Sequence, residues 1–167
     1  MELLVKRAKR GDKESFIQLM EINKSSMLKI AYPFFSNNED VADVMQQTIL
    51  DAYEHLQELR KNKYFKTWLL RILINNCTEI YNTRKKYVSE TAAAEKGYDE
   101  DYLSENNFRT ILSFLNPKDQ IIFQLYYGEE YTTKDIAGIL SMKEATVRSR
   151  IHRGKESLRK QLREEEM

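Results

Sequence analysis

The chain has 167 residues, of which 41% are hydrophobic and 32% charged, with a formal net charge of +1, a size and balance that fit one globular domain or two small ones. A single cysteine, Cys77, excludes an internal disulfide and a cysteine-based metal cluster. No apolar run is long enough for a signal peptide or a membrane span, so the protein is expected in the cytoplasm.

Glycine and proline are scarce and runs of β-branched residues are almost absent, which predicts an all-α fold. A short amphipathic segment, Glu2 to Lys9, ends at Gly11-Asp12, and Asp12 is placed to cap a helix from Lys13 to about Pro33. That helix is expected to bury Phe16, Ile17, Leu19, Met20, Leu28 and Ile30. Asn37-Asn38 signals a turn and a new helix, whose stripe is Val41, Val44, Met45, Thr48, Ile49, Ala52 and Leu56. A polar loop, Arg60 to Lys63, leads to a helix with Phe65, Trp68, Leu69, Ile72, Leu73, Cys77 and Ile80 on one face. Trp68 lies on that stripe, so core is favoured over an exposed aromatic wedge, and Cys77 reads as core too. Together these segments form a first helical domain, residues 1–87.

Residues 88–106 are acidic and poor in apolar side chains, the composition of a flexible linker. Fully extended, nineteen residues span at most about 60–70 Å, enough to let two domains hold well-separated positions. A second domain, residues 107–167, opens with Phe108, Ile111, Leu112 and Leu115. Asn116-Pro117 starts a helix through Ile121, Ile122, Leu125 and Tyr126, with Gly128 expected as its C-cap. Thr132 or Thr133 then caps a short helix burying Ile136, Ala137 and Leu140. After a break at Ser141-Met142 comes a long helix with Val147, Ile151, Leu158 and Leu162 inward. The small Ala137 at the crossing and the cationic second helix match a helix-turn-helix, although Ser141 stands where glycine is usual. Its outward side offers Lys143, Thr146, Arg148, Ser149, His152, Arg153 and Lys155; early positions can reach base edges and later ones phosphates. The alternative is a helical hairpin with a solvated basic face.

Charge is segregated along the chain. From Glu39 to Glu58 there are six acids and no Lys or Arg, whereas residues 60–86 carry eight bases and one acid. Residues 143–163 hold eight bases and two acids. Such blocks point to separate surfaces for separate partners, with phosphate attracted to the basic ones. No glycine-rich phosphate loop, metal-ligand cluster or nucleophile–base pair is evident, which argues against an enzyme, a metal site or a small-molecule substrate. His152 has no second ligand near it in sequence. The acidic block by itself is also compatible with a solvated helix that has no partner.

The segments Asp135-Ile-Ala-Gly-Ile-Leu140 and Ala145-Thr-Val-Arg-Ser-Arg-Ile-His-Arg153 resemble the promoter-reading end of bacterial sigma factors of the extracytoplasmic-function subfamily. Asn116 to Phe123 resembles the preceding helix. Asp40 to Tyr53 is similar to the family's core-binding helix, and Tyr64 to Ile72, with Asn75, to its promoter-melting helix. Gly11-Asp12 with Phe16 and Leu19 resembles its opening, so the likeness runs through nearly the whole chain in order.

The resemblance implies a cofactor-free promoter-specificity subunit of RNA polymerase. Asp43, Val44, Gln46, Gln47, Ile49 and Asp51 would contact the clamp of the large catalytic subunit. Arg60, Lys61, Asn62, Lys63, Tyr64 and Asn75 would capture a base flipped from the −10 element, with Arg71, Arg84, Lys85 and Lys86 on phosphates. Lys143, Thr146, Arg148, Ser149, His152 and Arg153 would meet the −35 element, Arg148 foremost. It also implies a cognate anti-sigma factor, in this family often membrane-anchored. The competing expectation is a stand-alone helix-turn-helix regulator, which leaves the basic, aromatic 60–86 segment without a role.

Overall fold

The computed structural model describes residues 1–35, 37–87 and 107–165. The chain divides into two compact units, Met1–Lys96 and Gly97–Met167. The division falls within the 88–106 stretch expected to be a linker, which lies outside the described residues. Among the described residues all regular structure is helical.

The first unit contains α1 (Glu2–Lys9), α2 (Lys13–Ala31), α3 (Asn38–His55) and α4 (Phe65–Tyr87). Gly11 separates the first two with φ +94, a conformation that costs other residues a steric penalty. Asp12 caps α2 by accepting from Ser15 N at 3.3 Å and Ser15 Oγ at 2.8 Å. Asn37 caps α3 in the same way, accepting from Asp40 N at 2.8 Å. Each cap satisfies a donor that the first helical turn leaves without a partner.

The core of this unit is built from Leu19, Met27, Ile30, Val44, Phe65, Leu69, Leu70 and Leu73, all essentially inaccessible. Two expectations for α2 need correction. Ile17 is 52% exposed and Leu28 only half-buried, because the buried stripe runs through Phe16, Leu19, Met20, Asn23, Met27 and Ile30. Asn23 is tolerated there because its amide donates to Leu19 O at 2.7 Å. On α4, Leu70 and Ile74 are buried while Ile72 and Ile80 are half-buried. The helix packs on both α2 and α3, so its buried face is wider than one stripe. Trp68 sits at the rim of the core, its ring 5.9 Å from that of Phe65.

The second unit contains α5 (Asn107–Leu112), α6 (Pro117–Phe123), α7 (Thr133–Leu140) and α8 (Glu144–Glu165). Asn116 caps α6 through Asp119 N at 3.0 Å, with Pro117 at the first helical position. The helix continues as a widened turn, Gln124–Gly128. Gly128 does not take the left-handed conformation expected of a C-cap; Glu130 does, with φ 58. Thr132, not Thr133, caps α7 in a reciprocal box with Asp135. Ser141 makes the turn between α7 and α8 in the left-handed region, φ 53 and ψ 46. Met142 N then donates to Ala137 O at 2.9 Å, closing the turn.

Ile136, Ile139, Val147, Ile122 and Leu125 form the centre of this unit. Leu112, Leu115, Phe123 and Leu158 extend it beneath α5. Leu140 is half-buried and Leu162 is 39% exposed, where both were expected inside; Ile139 takes the buried place on α7. Two contacts fix α8 on α6. Arg150 pairs with Asp119 at 2.7 Å, and Gly154 is buried so close to Phe123 that a Cβ there would lie 2.6 Å from the ring.

Candidate functional site

Burial of Val147, Ile151 and Leu158 decides which side of α8 remains outside. Lys143, Thr146, Arg148, Ser149, His152 and Arg153 are all exposed, and Arg148, Ser149, His152 and Arg153 line one open concavity. Three of them have partners within the helix. Arg148 donates to Glu144 at 2.6 Å, His152 Nε2 lies 3.5 Å from Glu156, and Arg153 Nε reaches Ser149 O at 3.4 Å. Arg150, in the same cationic run, faces the other way into its ion pair with Asp119. A helical face that is basic, exposed and backed by a rigid core has the form of a groove-reading helix.

On α3 the acidic block separates into two roles. Asp43, Gln46 and Gln47 are exposed and Ile49 is half-buried. Val44 has 0% exposure, which corrects its expected role as a contact residue: it packs α3 onto the bundle and can touch no partner. Asp51 is half-buried and held from two sides, by Asn76 Nδ2 at 2.7 Å and Gln47 Nε2 at 2.8 Å. Asn76 also meets Thr48 Oγ1 at 3.2 Å, so α4 braces the α3 face directly. Two residues missed in the sequence stand out on α3, Leu50 at 57% and Tyr53 at 51% exposure. They follow Gln46 by four and seven residues, a helical spacing that could have revealed them.

The basic segment begins in a tight turn, Asn62–Tyr64, ahead of α4. Arg60, Lys61, Lys63 and Tyr64 are exposed and Asn62 is half-buried. Lys63 Nζ sits 4.8 Å above the Tyr64 ring. The stem of this loop is tied to α1: Gln57 Nε2 donates to Lys9 O at 2.6 Å, and Lys9 Nζ donates to Leu59 O. Arg71 and Asn75, one helical turn apart on α4, are both exposed. Arg84 is exposed but pairs with Asp40 of α3, so its charge is partly spent within the fold. Lys85 and Lys86 fall at the end of α4, where the side chains lie outside the described residues.

Two titratable groups lie near these surfaces. The hydrogen bond that His55 Nδ1 donates to the Glu58 carboxylate raises the His55 pKa above its ordinary value. Burial pushes the Cys77 thiol up to about 12. Among the described residues no group of His, Cys, Asp and Glu is arranged to hold a metal ion.

Comparison with known proteins gives the surfaces a common context. The family description Sigma-70 region 2 matches residues 19–87, and Sigma-70, region 4, matches residues 105–158. The ECF RNA polymerase sigma factor SigW of Bacillus subtilis is 28% identical, over 98% of this chain and 100% of its own length. The chain belongs to the extracytoplasmic-function sigma factors. The ECF RNA polymerase sigma-E factor of Escherichia coli is 25% identical over 94% of this chain and 91% of its own. Among solved structures, CnrH in complex with the cytosolic domain of CnrY shares the fold with a TM-score of 0.72 and 22% identity, covering 96% of each chain. The sigma factor RpoE in complex with the anti-sigma factor NepR, from Bartonella quintana, matches with a TM-score of 0.75 and 21% identity, over 90% of this chain and 98% of that one. Both units of this sigma factor are thus accounted for in one family, which a stand-alone regulator does not explain.

Proposed function

We propose that this sigma factor docks on the clamp of core RNA polymerase through the exposed face of α3 and holds a promoter at two places. Asp43, Gln46 and Gln47, with Leu50 and Tyr53 as apolar anchors, supply the docking face; Asp51 acts from its braced position. The Arg60–Tyr64 loop, Arg71 and Asn75 engage the −10 element, where Asn75 and the loop receive an extruded base. The outer face of α8 reads the −35 element. The observation that carries this reading is the division of α8 into a buried apolar side and a continuous exposed face from Lys143 to Arg153.

CnrH and RpoE were solved bound to CnrY and NepR, which supports a cognate anti-sigma factor as a further partner here. Among the described residues no helix is long and apolar enough to cross a membrane, and a polymerase subunit works in the cytoplasm.

Run-off transcription with purified core polymerase on promoter-bearing fragments tests the proposal. Specific transcripts are expected only when sigma factor and core are both present; core-independent promoter selection by the isolated chain would overturn it. Asn75→Ala is expected to lower promoter opening about tenfold, the loss of roughly 1.4 kcal/mol of hydrogen bonding to the flipped base. Permanganate reactivity of unpaired thymines measures that step.

A further inference from the structure

Within the second unit one carboxylate collects donors from both helices of the helix-turn-helix. Glu144, the first residue of α8, accepts at Oε1 from Arg148 Nη2 at 2.6 Å and from Thr133 Oγ1, at the start of α7, at 2.8 Å. An ordinary surface pair four residues apart joins two long mobile side chains and fixes neither. Here one end is pinned: the Glu144 side chain is 35% exposed against 65% for Arg148. The Arg148 hydrogen bond, and after it that of Thr133, keep the Glu144 carboxyl below the usual carboxylate range, so it stays charged.

Glu144 is the one acid between Lys143 and Arg153. An ionised acid on a DNA-facing helix opposes binding, because it repels phosphate and cancels a nearby base. Its compensation lies in what it does to Arg148. A guanidinium carries five donors in a rigid planar fork, so anchoring one Nη narrows the orientations open to the plane and biases where the remaining donors point. Bidentate reading of a guanine depends on that plane being set.

We infer that Glu144, braced by Thr133, is a positioning residue for base discrimination: it orients the Arg148 guanidinium toward one base pair of the upstream element at some expense of overall DNA affinity. This rests on the proposed reading of α8 as the groove helix. Freed from Glu144, Arg148 still attracts DNA but selects less well. Specificity and affinity therefore move in opposite directions, which simple loss of structure cannot produce.

The test is selection by holoenzyme from promoters randomised across the upstream element, with duplex affinity of the full-length chain measured alongside. Arg148→Ala is expected to abolish the preference at one base pair. Glu144→Ala should lower the preference at that same base pair about tenfold, in the range of one bidentate contact, while raising affinity for random duplex. Glu144→Gln, which keeps an acceptor oxygen, should restore most of the preference, and Thr133→Val should show part of the Glu144→Ala loss. The inference is overturned if Glu144→Ala leaves that preference intact, or alters a different base pair, which would make Glu144 itself a base reader. If Arg148→Ala changes no preference at all, the groove-reading role of α8 fails and takes the inference with it.

Discussion

Residues of the same type, one or two positions apart, do different work in this protein. Asn75 is exposed while Asn76 turns inward to hold Asp51 and Thr48. Arg148 faces outward while Arg150 is spent on Asp119. At about 100° of rotation per residue, one step along α4 or two along α8 exchanges an exposed side chain for one bonded within the fold. Cys77 shows the same dependence on environment. Buried at 0% exposure with its thiol pushed up to about 12, it has almost no thiolate at neutral pH. A maleimide at pH 7–8 is expected to leave the native protein unlabelled and to label Cys77 fully in denaturant, with mass spectrometry as the readout. Rapid labelling without unfolding would reopen a redox role.

Helix contacts set the orientation of the recognition element. Gly154 lets α8 approach α6 so closely that an added Cβ would stand 2.6 Å and 2.7 Å from two Phe123 ring atoms. Gly154→Ala is therefore expected to destabilise the second unit by about 1–3 kcal/mol, despite alanine's better helix propensity. Gly138, in the middle of α7, has no neighbour within 4 Å of its would-be Cβ. There the propensity term acts alone, and Gly138→Ala should stabilise by about 0.5–1 kcal/mol. Urea unfolding of the two variants side by side measures both signs; equal shifts would show that packing against Phe123 is not what sets α8.

The near-zero net charge of the whole molecule conceals opposed fields. The acidic block of α3 and the two basic blocks together leave a surplus of positive charge, which acids elsewhere in the chain, including the 88–106 stretch, bring down to +1. Each surface nevertheless presents only its own segment, since charges beyond a Debye length are screened. Binding of the isolated chain to promoter duplex should therefore be weak and steeply salt-dependent. Raising salt from about 50 mM to 200 mM should lower affinity by an order of magnitude or more, and Arg153→Ala should reduce the log–log slope by about one. Fluorescence anisotropy across a salt series gives both quantities. A flat salt response would contradict phosphate contact by α8.

By itself the sequence determined the helices, their caps at Asp12, Asn37 and Asn116, the helix-turn-helix, and the segregation of charge, because these depend on spacing and on neighbours a few residues away. It also carried the family, through motifs that run along both halves. Tertiary structure alone decided which residues on a stripe are covered and which polar groups are already engaged. Ile17, expected inside, is exposed, and Val44, on the buried stripe by periodicity but a contact by resemblance, is buried, because burial depends on which helices pack against a face, not on hydrophobicity alone. The coupling of Asn76 to Asp51, of Arg84 to Asp40, and of Thr133 to Glu144 joins residues 25, 44 and 11 positions apart. Such pairs leave no periodic trace along the chain, and only folding brings them within hydrogen-bonding reach.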